Sequence, residues 1–182
     1  MPAPTMAEVM QSIDHLLDDL DFICRHGLAT YRTYPPAILI EHDARAAASN
    51  TYCHMLAEAE RRLLNLPGVL LMDLKGLKAF LVGDAAVIRL KRMDEDGRSR
   101  SYPTKQAKDF DRGQPLPGLP PPATRLTVGY LADATGTSVQ RVQVAKPTGR
   151  EIDWCAAIVP EGDRKAGSRR WIDVTRQGRF AG

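Results

Sequence analysis

From Met6 to Ile23 the apolar residues Met6, Val9, Met10, Ile13, Leu16, Leu17, Leu20 and Ile23 recur at three- and four-residue spacing. That period lines them along one side of an α-helix. Thr5 and Glu8 stand ahead of the run at T-x-x-E spacing, the form of a capping box, and Gly27 is the expected stop. After Pro35 and Pro36, the stretch from Ala37 to Asn65 holds neither Gly nor Pro and is rich in helix formers. It predicts one long helix ending before Pro67-Gly68. A second reading of residues 36–43 is a short strand, "AILI", followed by a helix capped by Asp43. Ala44, Ala48, Tyr52, Met55, Ala59 and Leu63 share the side of this helix that would meet the first one. Residues 1–66 are therefore expected to form an antiparallel helical hairpin.

Beyond Pro67 the period changes. "VLLMDLKG" and "KAFLVGDAAVIRLKRM" read as strands, with Gly83-Asp84 as a turn. Residues 67–111 are accordingly a β-hairpin followed by a polar loop with one helical turn. Residues 112–124 include Pro115, Pro117, Pro120, Pro121 and Pro122 and are expected to run extended as a stiff connector. Across 125–160, "RLTVGYLAD", "SVQRVQVAKP" and "IDWCAAIVP" alternate apolar and polar residues between turn signals, which predicts a three-stranded antiparallel meander. Residues 161–182 form a basic tail with apolar content too sparse to complete a core. The whole is expected to be one α+β domain, a helix pair packed on antiparallel β-structure.

Composition narrows the class. The 182 residues are 43% hydrophobic and 26% charged, as in a globular protein. No run approaches the roughly 20 apolar residues of a membrane span, and the N-terminal stretch lacks a secretory pattern. Cys24, Cys53 and Cys155 are widely spaced and odd in number, which suits reduced thiols in the cytoplasm. Charge is uneven: residues 1–66 carry five Arg and nine Asp/Glu, whereas the remainder carries 20 basic and 13 acidic residues. Such polarity points to a basic partner, to nucleic acid, or to complementarity within the chain.

Three clusters bear on chemistry. On the second helix Asp43, Asn50, His54 and Glu58 fall along one polar stripe. His54 and Glu58 are four residues apart, but nothing resembles HExxH, and neither a metal nor another cofactor is expected there. "MDLKG" places Asp73 and Lys75 in the D-x-K half of a restriction-type nuclease motif. That chemistry needs a second carboxylate for Mg²⁺ beside the first, with Lys placing the water. In the tail, Arg164, Lys165, Arg169 and Arg170 flank Trp171, with Arg176 and Arg179 beyond. Guanidinium groups neutralise phosphates and an exposed Trp stacks on a base, so the tail is expected to bind a partner while the fold does without it. Docking on the chain's own acidic first helix is the competing expectation.

The stretch "FLVGDAAVIRLKRMDEDGRSRSYPTKQAKDFD", then "LPG" and "RLTVGYLADATGTSVQRVQVAKPTGREIDW", resembles a family of bacterial and prophage proteins encoded beside helix-turn-helix regulators, some fused to a zinc-peptidase-like domain. The arrangement is similar to toxin–antitoxin and phage-defence pairs. The resemblance implies a small cytoplasmic effector held by a cognate regulatory protein, and it brings no catalytic residues with it. The alternatives are a metal-dependent nuclease at Asp73 and Lys75, or a non-enzymatic nucleic-acid-binding regulator using the tail.

Overall fold

The computed structural model describes residues 3–100, 104–119 and 123–176. The elements run α1 (Met6–Ser12), α2 (Leu17–Arg32), α3 (Pro36–Glu41), α4 (Ala44–Leu63), β1 (Val69–Leu74), β2 (Leu77–Val82), β3 (Ala86–Arg92), α5 (Lys105–Asp111), β4 (Thr124–Ala132), β5 (Val139–Thr148), β6 (Glu151–Ile158) and β7 (Trp171–Asp173). All seven strands join one sheet in sequential order. This is an α+β fold with a mostly antiparallel sheet.

The capping box forms as its spacing dictates: the Glu8 amide donates to Thr5 Oγ1 and the Thr5 amide to Glu8 Oε2. The stripe that follows is buried from Val9 to Ile23, but the helix is not continuous. A single 3-10 turn over Asp14–Leu16 separates α1 from α2. Gly27 does not end the helix either. It lies inside α2, where a Cβ would come within 2.3 Å of Met55 Cγ and 3.1 Å of the Thr51 carbonyl oxygen. The missing side chain lets α4 cross α2 at close range, so a packing demand overrides the stop signal.

Residues 36–43 meet each expectation in part. "AILI" is helical, yet the helix breaks at His42, which is extended, and Asp43 caps α4 by accepting from the Ala46 amide at 2.7 Å. The carboxylate satisfies an orphan donor, which favours a fresh helix start over continuation. None of α3 is buried, and Ile40 stands 85% exposed. On α4 the buried side is Thr51, Met55, Glu58, Ala59 and Leu63, whereas Ala44 is exposed.

Strand alternation divides the sheet into two faces. Ile88, Leu90, Leu126, Val128, Tyr130, Val142, Val144, Trp154 and Ala156 belong to the main core with α1, α2 and α4. Val87 on the other face joins Phe110 of α5 and Leu116 in a second cluster. The helical turn expected in the polar loop before residue 112 is present as α5, but the loop's lack of core contacts and the extended course of 112–124 need correction. The segment is polar in composition, but Phe110 is fully buried, and the Leu119 amide closes a turn on the Leu116 carbonyl at 3.0 Å. The described part of the Pro-rich stretch thus turns and packs instead of running extended; Pro120, Pro121 and Pro122 lie outside the described residues.

The three-stranded meander β4–β5–β6 is antiparallel, as the alternation predicts. The junction between β3 and β4 is parallel, from Ala86↔Thr124 to Arg92↔Tyr130, against the expectation of antiparallel pairing throughout. A parallel pair needs a crossover, and the segment that carries α5 supplies it. At Gly129 a Cβ would lie 1.7 Å from the Lys91 carbonyl oxygen, so the seam closes only around glycine.

The tail is part of the fold, contrary to the expectation that the fold does without it. β7 pairs with β6, and Trp171 is 9% exposed within the main core. An indole finds more apolar area on an open sheet edge than in solvent. Residues 177–182, including Arg179, lie outside the described residues.

Candidate nucleic-acid interface

The acidic start of the chain is neutralised from within. Arg164 pairs with Asp18, Arg170 reaches Asp14 at 3.6 Å and Asp18 at 3.2 Å, Arg62 reaches Asp19 at 2.9 Å and Arg25 reaches Asp21 at 2.9 Å. The Arg164 hydrogen bond holds the Asp18 carboxyl below its ordinary range. Two of the five tail residues expected to bind a partner thus dock on the first helices. Lys165, Arg169 and Trp171 border a shallow depression of about 590 Å³ beside Met6, with the Arg169 guanidinium 5.4 Å from the Trp171 ring.

The α4 stripe is engaged within its own helix at Asp43 and Asn50, and against preceding elements at His54 and Glu58. Asp43 caps α4, Asn50 donates to the Ala46 carbonyl at 2.9 Å, and His54 Nε2 lies 2.9 Å from the Tyr34 hydroxyl. Glu58 accepts from Arg61 and Arg62, and His26 stands 3.7 Å away. The Arg61 bond leads in depressing the Glu58 carboxyl. Among the described residues no three His, Cys, Asp or Glu are grouped to hold a metal ion.

Asp73 and Lys75 belong to a tight hairpin. Leu74 pairs with Leu77, so Lys75 and Gly76 form a two-residue turn with φ of 56° and 88°. Positive φ at both positions is the geometry that matches strand twist. Asp73 Oδ1 accepts from the Gly76 amide at 2.7 Å. The D-x-K spacing is accounted for by the turn.

The other face of the sheet holds charged residues that strand alternation alone does not single out. In "AVIRLKRM", Arg89 and Lys91 are two residues apart and so start from the sheet face opposite Ile88 and Leu90, where a strand in the midst of a sheet ordinarily keeps apolar residues; the Lys91 ammonium reaches to 5.7 Å from the Tyr52 ring of α4. Arg89 is 3% exposed, the only buried cation among the described residues. Its Nε donates to Thr127 Oγ1 on β4 at 2.9 Å, and its Nη2 donates to Asp111 Oδ1, at the end of α5, at 2.5 Å. The guanidinium also sits 4.8 Å from the Phe110 ring. Burial pushes Asp111 up, opposed by Arg89, and pushes Lys91 down, with Arg89 adding to the effect. Two inward cations share one carboxylate, which leaves a local positive excess.

The surroundings fix this cluster in place. Arg125 donates to the Asp109, Phe110 and Gln114 carbonyls and so closes the C-terminal end of α5, where orphan acceptors favour a cation. The Gly149 amide, in the β5–β6 turn, donates to the Asp111 carbonyl at 2.7 Å. Together α5 and this turn border a depression of about 370 Å³ that has Arg89 and Thr127 in its lining and also takes in Arg98, Lys108, Arg112 and Arg150. A neighbouring depression of about 330 Å³ shares Arg89 and adds Lys75, Lys78 and Lys91. A third, about 640 Å³, shares Asp111 and Arg112 and adds Arg125 and Lys146. The result is a run of cations along the α5 side of the sheet, opposite the acidic helices. Its signals in the sequence are the basic excess beyond residue 66 and the alternating cations Arg89 and Lys91 within a strand. The chain matches no family model, no curated protein and no solved structure.

Proposed function

We propose that this protein is a non-catalytic nucleic-acid-binding effector of a two-component bacterial system, of the toxin–antitoxin or phage-defence kind, governed by a cognate regulatory protein. The nucleic-acid part rests on the excess of inward cations over carboxylates at Arg89, Lys91 and Asp111, extended by Lys108, Arg112 and Arg150. Among the described residues none of those last three has an ion-pair partner. Phosphate neutralisation with counterion release is the main sequence-independent source of such affinity. A flexible single strand can follow this uneven run of exposed cations more closely than a stiff duplex cylinder. The paired-system part rests on the resemblance of the stretches quoted above between Phe80 and Trp154. No helix among the described residues is long and apolar enough to cross a membrane.

The test is fluorescence anisotropy with single-stranded RNA, single-stranded DNA and duplex DNA of one sequence. Single strands should bind with log K falling steeply against log salt, by roughly 0.7 per phosphate contacted. Lys108→Glu/Arg112→Glu should weaken binding about tenfold or more and flatten that slope, while Arg169→Glu on the tail side should not. Equal losses in the two variants, or no binding by the wild type, would refute the assignment of this face.

A further inference from the structure

Arg89 differs from the cations around it in depth. Lys108, Arg112 and Arg150 are exposed, whereas the Arg89 guanidinium lies below them, held through Nε and Nη2 by Thr127 and Asp111. Among the described residues its Nη1 is outside these bonds, and the residue is part of the lining of the 370 Å³ depression. That volume lies within the ~300–1,000 Å³ range of small-ligand pockets. The two carboxylates beside it are already matched: Asp111 by Arg89, and Glu151 by Arg98 at 3.0 Å. Lys108, Arg112 and Arg150 remain as three unmatched positive charges around the opening.

We propose that this depression receives the terminal phosphate monoester of a single-stranded nucleic acid, an inference that rests on the nucleic-acid reading of this face. Two features select an end over an internal linkage. An internal phosphodiester is flanked by sugar on both sides, so a strand crossing the opening keeps its phosphates at the level of the exposed cations. A chain end enters head-on and brings its oxygens toward Arg89. Charge selects in the same direction. A monoester carries about −1.5 to −2 near neutral pH and three strong acceptor oxygens, a closer match to three unmatched cations than the single charge of a diester. A guanidinium fixed by two bonds is also pre-organised, so little side-chain freedom is lost when the phosphate arrives.

The experiment compares three short single-stranded oligonucleotides of one sequence and one internal label, bearing a 5′-phosphate, a 3′-phosphate or hydroxyls at both ends. Wild-type protein should bind one phosphorylated form about tenfold or more tighter than the hydroxyl form, and the better arm identifies the end. Lys108→Gln/Arg150→Gln, both at exposed positions, should keep the wild-type melting temperature and lose the preference. Arg89→Lys should reduce the preference if it folds; the exposed double variant makes the test independent of that outcome. Equal binding of the three forms would overturn the end-group inference and leave the broader binding face standing. A preference that survives in the double variant would overturn its location. No binding of any form would overturn both readings.

Discussion

Trp171→Ala tests whether the C-terminal segment belongs to the fold. The indole is 9% exposed and sits in the main core from a three-residue strand on the sheet edge. A buried tryptophan removes ~150–250 Å² from water, worth about 4–6 kcal/mol at ~25 cal/mol per Å². Aromatic-to-alanine truncations in cores cost about 3–5 kcal/mol, and a short edge strand can relax around the gap, which favours the lower end of that range. A loss of about 3 kcal/mol in a chain of this size corresponds to roughly 6–12 °C in melting temperature. The control is Arg170→Ala, whose ion pairs to Asp14 and Asp18 join side chains that are 36–44% exposed. Such pairs contribute ~0–1 kcal/mol. Urea and thermal unfolding followed by far-UV circular dichroism avoid the fluorescence change caused by removing an indole. A loss below about 1 kcal/mol for Trp171→Ala, or equal losses in the two variants, would show that the segment is held by surface charge and not by burial.

Gly129→Ala should destabilise by about 4 kcal/mol or more or prevent folding, because its Cβ would overlap the Lys91 carbonyl oxygen at 1.7 Å; a soluble variant with a wild-type melting curve would contradict the seam geometry. Glu58 and Asp18 both have carboxyls depressed by arginine hydrogen bonds. Their contribution is therefore present above the ordinary carboxylate range and is lost as pH falls through the depressed values. Melting temperature should decline on acidification below about pH 4.5, with a shallower decline in Glu58→Gln, and an unchanged slope would count against this role. Asp73→Ala should cost about 1 kcal/mol through the lost turn hydrogen bond and leave nucleic-acid binding intact. Robust Mg²⁺-dependent cleavage by the wild type, abolished in that variant, would instead support a nuclease.

Much of the architecture is written in local periodicity. The Thr5–Glu8 cap, the stripe from Val9 to Ile23 and the β4–β6 meander each depend on neighbours a few residues apart, so their spacing is sufficient to read them. What escaped depends on partners distant in the chain. Gly27 reads as a stop because the residues that need its missing side chain, Thr51 and Met55, come 24 and 28 positions later. Trp171 reads as an exposed anchor because the strand it pairs with lies outside the tail. Arg89 reads as a polar interruption of a strand until α5 brings Asp111 to it across the crossover. Of the residues singled out in advance, Asp43, Asn50, His54, Glu58, Asp73, Arg164 and Arg170 all have intramolecular partners. The basic face was legible only as a charge imbalance, since sheet faces are assembled from strands that alternation describes one at a time.

Among the described residues β3–β4 is the one parallel junction, and it divides the sheet into two halves. On one side β1, β2 and β3 pair antiparallel in sequence, and on the other β4 to β7 do the same, with residues 159–170 joining β6 to β7. Each half can form from nearby residues, whereas joining β3 to β4 must wait for residues 93–123 to close a long loop. Arg89 lies on one side of that junction, Thr127 on the other, and Asp111 on the loop that spans it. An anion held by Arg89 together with Lys108 and Arg112 of that loop, as proposed above, would act as a rivet. It should slow the opening of the two halves far more than it changes events within either, so occupancy of the basic face and the mechanical continuity of the sheet become one quantity. Hydrogen exchange at the β3–β4 amides, followed with and without bound oligonucleotide, reads that quantity directly.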